Sequence, residues 1–202
     1  MLIRIHPQNP QERLVKQVAA SLKEGGIIIY PTDTIYGIGC DIYQKGAVEK
    51  ICRLKGVEPQ KAQLSFVCYD LSDLSRYAKQ LPTHVYRSLK ASLPGPYTFI
   101  LEAGKEVPRI LQSKRSTVGI RVPDNHIARA IVKELGNPIL SASLPGEFVE
   151  DYTDPEIMQE RFGTWAGFVV DGGPGGAVPS TVIDYTSGEA EVVREGAGEW
   201  VQ

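Results

Sequence analysis

Residues 27–31 read Ile-Ile-Ile-Tyr-Pro, with Gly25 and Gly26 directly ahead. The four-residue apolar run shows no alternation with polar positions, so as a strand it must be buried on both faces. Pro31 stops it, because proline lacks the N–H that a ladder needs. A strand of that kind requires packed layers on either side, and the neighbouring segments offer helices to supply them. Asn9-Pro10-Gln11-Glu12 reads as a helix start, with a cap residue, a proline in the first turn and a glutamate three after the cap. Leu14, Val15, Val18, Ala19 and Leu22 follow at helical spacing up to the glycine pair.

The alternation continues along the chain. Strands are expected at 2–5, 64–68, 97–101 (after the Pro94-Gly95-Pro96 turn), 117–122, 139–142, 168–170, 182–185 and 190–193. A loop is expected from Pro31 to Asp41, then a helix carrying Val48, Ile51, Cys52 and Leu54. Two helices fit between 71 and 93, one is marked by Ile127, Ile131 and Leu135, and one spans 156–162. No repeat, low-complexity tract or linker divides the 202 residues, so a single domain over 1–202 is expected. The order is neither pure βαβ nor all-β. It predicts an α/β domain with a mixed, twisted sheet and flanking helices, while leaving strand order open.

Several classes are excluded. No apolar run approaches the roughly 20 residues needed to cross a bilayer. The start reaches Pro7 before any long apolar stretch, unlike a secretory signal. Cys40, Cys52 and Cys68 are odd in number and form no CxxC pair, which points to buried reduced thiols in a cytoplasmic protein. His6, His84 and His126 lie far apart and suggest no metal site. The P-loop, GxGxxG, GxSxG and HExxH motifs are all missing. Net charge is −2, but residues 45–133 carry 16 Lys and Arg against 7 Asp and Glu. A basic middle with acidic flanks fits either an anion-binding face or a solvated surface of mixed charge.

Four segments place small, polar and turn-forming residues beside strands. Pro31-Thr32-Asp33-Thr34-Ile35-Tyr36-Gly37-Ile38-Gly39 follows the buried strand, where α/β folds put ligands. Thr32 can donate and accept, Tyr36 can stack on a base, and Gly37 permits close backbone approach, though a simple turn uses the same residues. Lys55-Gly56 ends a helix, as a cap or as a lysine aimed at phosphate. In Thr117-Val118-Gly119-Ile120-Arg121-Val122-Pro123, Arg121 lies opposite Ile120 and Val122 and needs water or an anion beside it. Ser141-Ala142-Ser143 puts two hydroxyls on one face. Asp171-Gly172-Gly173-Pro174-Gly175-Gly176, followed by Ser180 and Thr181, offers backbone N–H groups to an anion, with Arg194 a further cation. Together they suggest a phosphate or carboxylate cleft built without a P-loop.

In this order the segments resemble the YrdC/YciO family over almost the whole chain. The shared pattern runs from Pro31-Thr32 to Gly39, then Lys55-Gly56, Pro94-Gly95-Pro96 with Thr98, Gly119 to Pro123, Ser141-Ala142-Ser143, Ser180-Thr181-Val182 with Asp184, and Arg194-Glu195-Gly196. The resemblance implies a twisted open sheet around a large concave basic cleft. It also implies threonylcarbamoyl-AMP synthesis from L-threonine, bicarbonate and ATP with Mg2+, releasing pyrophosphate and feeding tRNA t6A modification. Thr32 and Tyr36 would then line the threonine and adenylate pocket, and Lys55 would bind phosphate. Thr117 and Arg121 would hold carboxylate or phosphate oxygens, with Ser141, Ser143, Ser180 and Arg194 completing the nucleotide site. No covalent nucleophile is needed if fixed cations and hydroxyls stabilise the developing charge. Two signatures are degenerate. The synthases' Lys-x-Arg reads Lys55-Gly56-Val57, and their Ser-x-Asn reads Ser141-Ala142-Ser143. Valine supplies no bidentate donor and serine no amide. Arg53 or Lys61 is the nearest substitute for the missing guanidinium. These departures resemble the YciO branch and leave a second expectation, a double-stranded RNA-, tRNA- or nucleotide-binding paralogue without efficient synthase activity.

Overall fold

The computed structural model describes residues 1–59, 64–111 and 116–200. In chain order these form β1 (Leu2–Arg4), α1 (Glu12–Lys23), β2 (Ile27–Tyr30), β3 (Gly37–Asp41), α2 (Lys45–Leu54) and β4 (Ser65–Val67). Next come α3 (Leu74–Tyr77), α4 (Thr83–Ser92), β5 (Tyr97–Glu102), β6 (Thr117–Arg121), α5 (His126–Leu135) and β7 (Ile139–Ser143). The chain ends with α6 (Glu150–Thr153), α7 (Pro155–Phe162), β8 (Phe168–Asp171), β9 (Thr181–Asp184) and β10 (Glu191–Arg194). All ten strands join one open sheet in the order β1-β8-β2-β3-β7-β4-β6-β5-β9-β10. Four neighbouring pairs are parallel, β1 with β8, β8 with β2, β4 with β6, and β5 with β9. The other five are antiparallel, so the sheet is mixed as the pattern requires.

The two faces are covered differently. On one, apolar residues of α1 (Val15, Val18, Leu22) and α5 (Ile127, Ile131, Leu135) pack on Ile28, Tyr30, Val67, Ile139 and Val170. On the other, a larger core joins α2, α4 and α7 to strand residues such as Ile29, Ile38, Phe66, Phe99 and Ile120. Residues two apart in a strand share a face. Ser65 and Ser141 therefore lie on the face of Val67 and Ile139, beyond the cover of α1 and α5, and they line a cavity.

Two local expectations are corrected. The segment expected as loop after Pro31 contains β3, whose five residues are all buried. Its glycines look like loop residues in the sequence, but they are required by packing. A Cβ on Gly39 would lie 2.5 Å from Ile139 Cγ2, 2.8 Å from the Leu140 carbonyl and 3.1 Å from Tyr30 Cε1. The first helix starts at Glu12 with Gln11 at its cap and no side-chain capping bond. Asn9 instead donates its backbone N–H to His6 Nδ1, as Gln8 does, so it belongs to the preceding turn.

Candidate active site

The register builds the cavity floor. Across the sheet, Gly39 lies opposite Ser141, Ser141 opposite Ser65, Ser65 opposite Gly119, Gly119 opposite Ile100, and Ile100 opposite Asp184. Four successive members of that row are glycine or serine. Their short side chains leave the sheet recessed where the next rows carry Thr117, Ser143 and Arg121. The resulting cavity has a volume of about 980 Å³. That is the upper range of small-molecule sites, typically about 300–1,000 Å³.

Arg121 is the most constrained group in it. β6 is an interior strand, and the Arg121 side chain is 10% exposed. A buried guanidinium is costly unless paired and hydrogen-bonded. The loop after β2 meets that need. Arg121 Nη2 donates to Asp33 Oδ1 at 2.5 Å, to Thr34 Oγ1 at 2.6 Å and to Thr32 Oγ1 at 3.1 Å. The loop itself is fixed from behind. Thr32 donates to the Ile35 carbonyl, Asp33 Oδ2 accepts the Asp124 N–H, and Asn125 donates to the Thr32 carbonyl. Arg121 Nε is buried without a partner. That buried donor is left unsatisfied, a state that costs about 1–3 kcal/mol until an acceptor arrives.

A second cation stands close by. Arg194, at the exposed end of β10, donates from Nε and Nη2 to the Ser180 carbonyl and from Nη2 to Ser180 Oγ. The Ser180 hydroxyl also lies 2.9 Å from that of Thr98. Partial burial, and then the charge of Arg121, hold the Arg194 pKa below the usual arginine value. The two guanidiniums are thus close enough to repel each other, and the nearest carboxylate, Asp33, is bonded to Arg121. Lys55 approaches from the end of α2, donating to the Ser143 carbonyl at 3.0 Å. Partial burial also lowers its pKa from the usual lysine value.

Charge around the cavity is sorted by position. Glu58, Glu102 and Asp184 line it along with the two arginines. Most cations of the basic 45–133 window face outward. Arg76 pairs with Glu106, Lys79 with Glu102 and Lys45 with Glu49, while Arg129 lies over the Tyr69 ring.

Thr32, Tyr36, Thr117, Arg121, Ser141, Ser143, Ser180 and Arg194 all line the one cavity, and Lys55 reaches it through Ser143. Two readings of these segments change. Tyr36 is fully buried, its hydroxyl donating to the Gly173 carbonyl and accepting from the Gly172 N–H, so it forms a wall and is not free to stack on a base. The glycine-rich loop likewise offers no anion nest. Its N–H groups are consumed by Tyr36 Oη, Asp171 Oδ1, and the carbonyls of Thr153 and Thr34, and Pro174 has none. Arg53 is exposed and does not line the cavity, and Lys61 lies outside the described residues. Val57 is exposed. Ser65, Tyr30 and Asn125 escaped the sequence reading. Only Ser65 left a signal there, as the polar member of a short strand beside Val67.

The fold that carries this floor recurs in known proteins. The model of the Sua5/YciO/YrdC family, described as telomere recombination, matches residues 20–196. The chain belongs to this family. YciO of Escherichia coli K12 is 46% identical over 199 residues, covering 96% of this chain and 95% of YciO. The threonylcarbamoyl-AMP synthase of Halorhodospira halophila is 31% identical over 175 residues, covering 86% and 91%. The crystal structure of E. coli YciO superposes with a TM-score of 0.91 at 44% identity, over 98% of this chain and 97% of that one. Sua5 of Pyrococcus abyssi complexed with L-threonine gives 0.87 at 28% identity, over 97% of this chain and 57% of Sua5. Within the Sua5/YciO/YrdC family the ten-stranded open sheet is therefore the expected frame; of the two degenerate positions, Ser143 lines the cavity and Val57 does not. No helix of the described residues is long and apolar enough to cross a membrane.

Proposed function

We propose that the protein is a threonylcarbamoyl-AMP synthase-type enzyme with reduced signature groups. The observation that carries this reading is the Arg121–Arg194 corner, with its unpartnered Nε, in a cavity large enough for an adenylate. Support also comes from synthases at about 30% identity and from the P. abyssi relative that binds L-threonine. In the reaction the threonine amine and bicarbonate give a carbamate and water. A carbamate oxygen then attacks the α-phosphorus of ATP and expels pyrophosphate, leaving threonylcarbamoyl-AMP for tRNA modification. Magnesium arrives with ATP as part of the substrate. Arg121 and Thr117 hold carboxylate or phosphate oxygens, and Lys55 with Arg194 neutralises the leaving phosphates. Thr32 and Tyr36 wall the pocket, while Ser141, Ser143 and Ser180 donate to nucleotide oxygens. Preorganised donors of this kind stabilise developing charge without a covalent nucleophile.

A tRNA- or double-stranded RNA-binding role without synthesis has weaker support, since it makes no use of the recessed hydroxyl-lined floor, and Lys45, Arg76 and Lys79 of the basic window are paired with carboxylates. The test is pyrophosphate release with ATP, L-threonine and bicarbonate, beside Lys55→Ala and Val57→Arg. Release that needs threonine and Lys55 is expected in the wild type, with a gain on restoring the arginine. Release equal to that of Lys55→Ala overturns the reading.

A further inference from the structure

Tyr30 is fully buried at the end of β2, behind the cavity floor, and it reaches across a whole strand. Its backbone lies opposite Gly37 of β3, and β7 is the next strand over. The ring crosses β3 over its two glycines. A Cβ on Gly37 would stand 3.4 Å from Tyr30 Cε1, and one on Gly39 would stand 3.1 Å from it. Beyond β3 the Tyr30 hydroxyl donates to Ser141 Oγ at 2.8 Å. Ser141 is a floor residue of the cavity.

A serine hydroxyl has one proton and two lone pairs, and it ordinarily rotates to suit its neighbours. Here one lone pair is filled from behind by Tyr30. Among the described residues no acceptor is hydrogen-bonded to the Ser141 proton, which leaves the cavity as its outlet. Burial pushes the Tyr30 pKa up to about 12, so Tyr30 keeps its proton and stays the donor at neutral pH. We infer that Tyr30 is a positioning residue that fixes Ser141 as a hydrogen-bond donor to an anionic ligand oxygen, of phosphate or carboxylate, in the cavity. This rests on the proposed nucleotide site but not on the synthase chemistry. It also explains why β3 carries glycine at both positions beneath the ring.

The experiment is a double-mutant cycle with Tyr30→Phe, Ser141→Ala and both together. It is read by calorimetric titration with AMP and with inorganic pyrophosphate, and by KM and kcat for ATP where pyrophosphate is released. A donor to a charged oxygen contributes about 1.5–3 kcal/mol, so Ser141→Ala should weaken binding roughly 10- to 100-fold. Tyr30→Phe should weaken it several-fold, with KM rising and kcat little changed. In the Ser141→Ala background, Tyr30→Phe should cost nothing further, a result that a merely structural role of the ring does not produce. Should Tyr30→Phe fail to fold, Ser141→Ala still tests the donor on which the inference depends, because it leaves the ring in place. Equal binding by wild type and Ser141→Ala overturns the inference. So does a Tyr30→Phe loss that persists in the double variant, or a wild type that binds neither AMP nor pyrophosphate. Coupled loss of AMP binding without any pyrophosphate release supports the inference while removing the synthase reading. Threonine-dependent release with uncoupled variants does the reverse.

Discussion

Replacing Asp33 with alanine tests how the cationic corner is held together. The Asp33 and Arg121 side chains are each 10% exposed, and the carboxylate also accepts the Asp124 N–H. Asp33→Ala leaves Arg121 a buried cation whose remaining acceptors are the Thr32 and Thr34 hydroxyls. Removing one partner of a buried pair costs about 3–5 kcal/mol, since the other charge is left uncompensated. For a chain of this size, each kcal/mol moves the melting temperature by about 2–4 °C, so the fall should be roughly 6–20 °C. Urea unfolding gives the free energy directly, and a scanning melt gives the temperature. The loss should shrink in Asp33→Ala/Arg121→Met, which removes the orphaned charge along with its partner. Inorganic phosphate should raise the melting temperature of Asp33→Ala more than that of the wild type, because an anion can take the vacated place. A loss below about 1 kcal/mol, or a double variant as unstable as the sum of the singles, refutes the account of Arg121 as a buried, loop-neutralised cation.

Three further outcomes follow from the same geometry. Gly119→Leu should abolish nucleotide binding by filling the floor, at some cost in stability because its Cβ meets the Leu64 carbonyl at 3.3 Å and Ser65 Cβ at 3.4 Å; unchanged AMP affinity in titration contradicts this. Gly39→Ala should lose about 1–3 kcal/mol in urea unfolding through overpacking against Ile139, Leu140 and Tyr30, and a neutral result removes the packing reason for that glycine. Phosphate affinity should fall as pH rises through a Lys55 pKa held below the ordinary 10.5, and Lys55→Ala should flatten that profile. In the same interval the unfolded chain binds more protons at this residue, so Lys55 by itself makes stability rise with pH there. A Lys55 contribution to stability that is flat through that interval places the lysine in open solvent.

Much of the site was legible because its residues announce their chemistry locally. Thr32, Arg121, the Ser141–Ser143 pair, Ser180 and Arg194 each break a strand or turn pattern with a polar group that needs a partner. The partners were not legible. Nothing near Arg121 in sequence names Asp33 as its counter-ion, 88 residues away. The glycine-rich loop reads as an anion nest until the fold shows its N–H groups already bonded. Glycines at 37 and 39 suggest a loop, whereas the ring of Tyr30 makes them a strand.

The sequence by itself determined the element types, the mixed α/β class and the set of chemical groups available. Those depend on periodicity and residue type, which act over one or two turns of chain. Only the tertiary structure decided which strands became neighbours, and with them everything that depends on register. The Gly39–Ser141–Ser65–Gly119 row is assembled from four strands that are not consecutive in the chain. The recess it forms, the pairing of Arg121 with the Asp33 loop and the contact from Tyr30 to Ser141 all follow from that order. Strand order is a global property of packing, because each pairing is worth little until the whole sheet is covered on both faces.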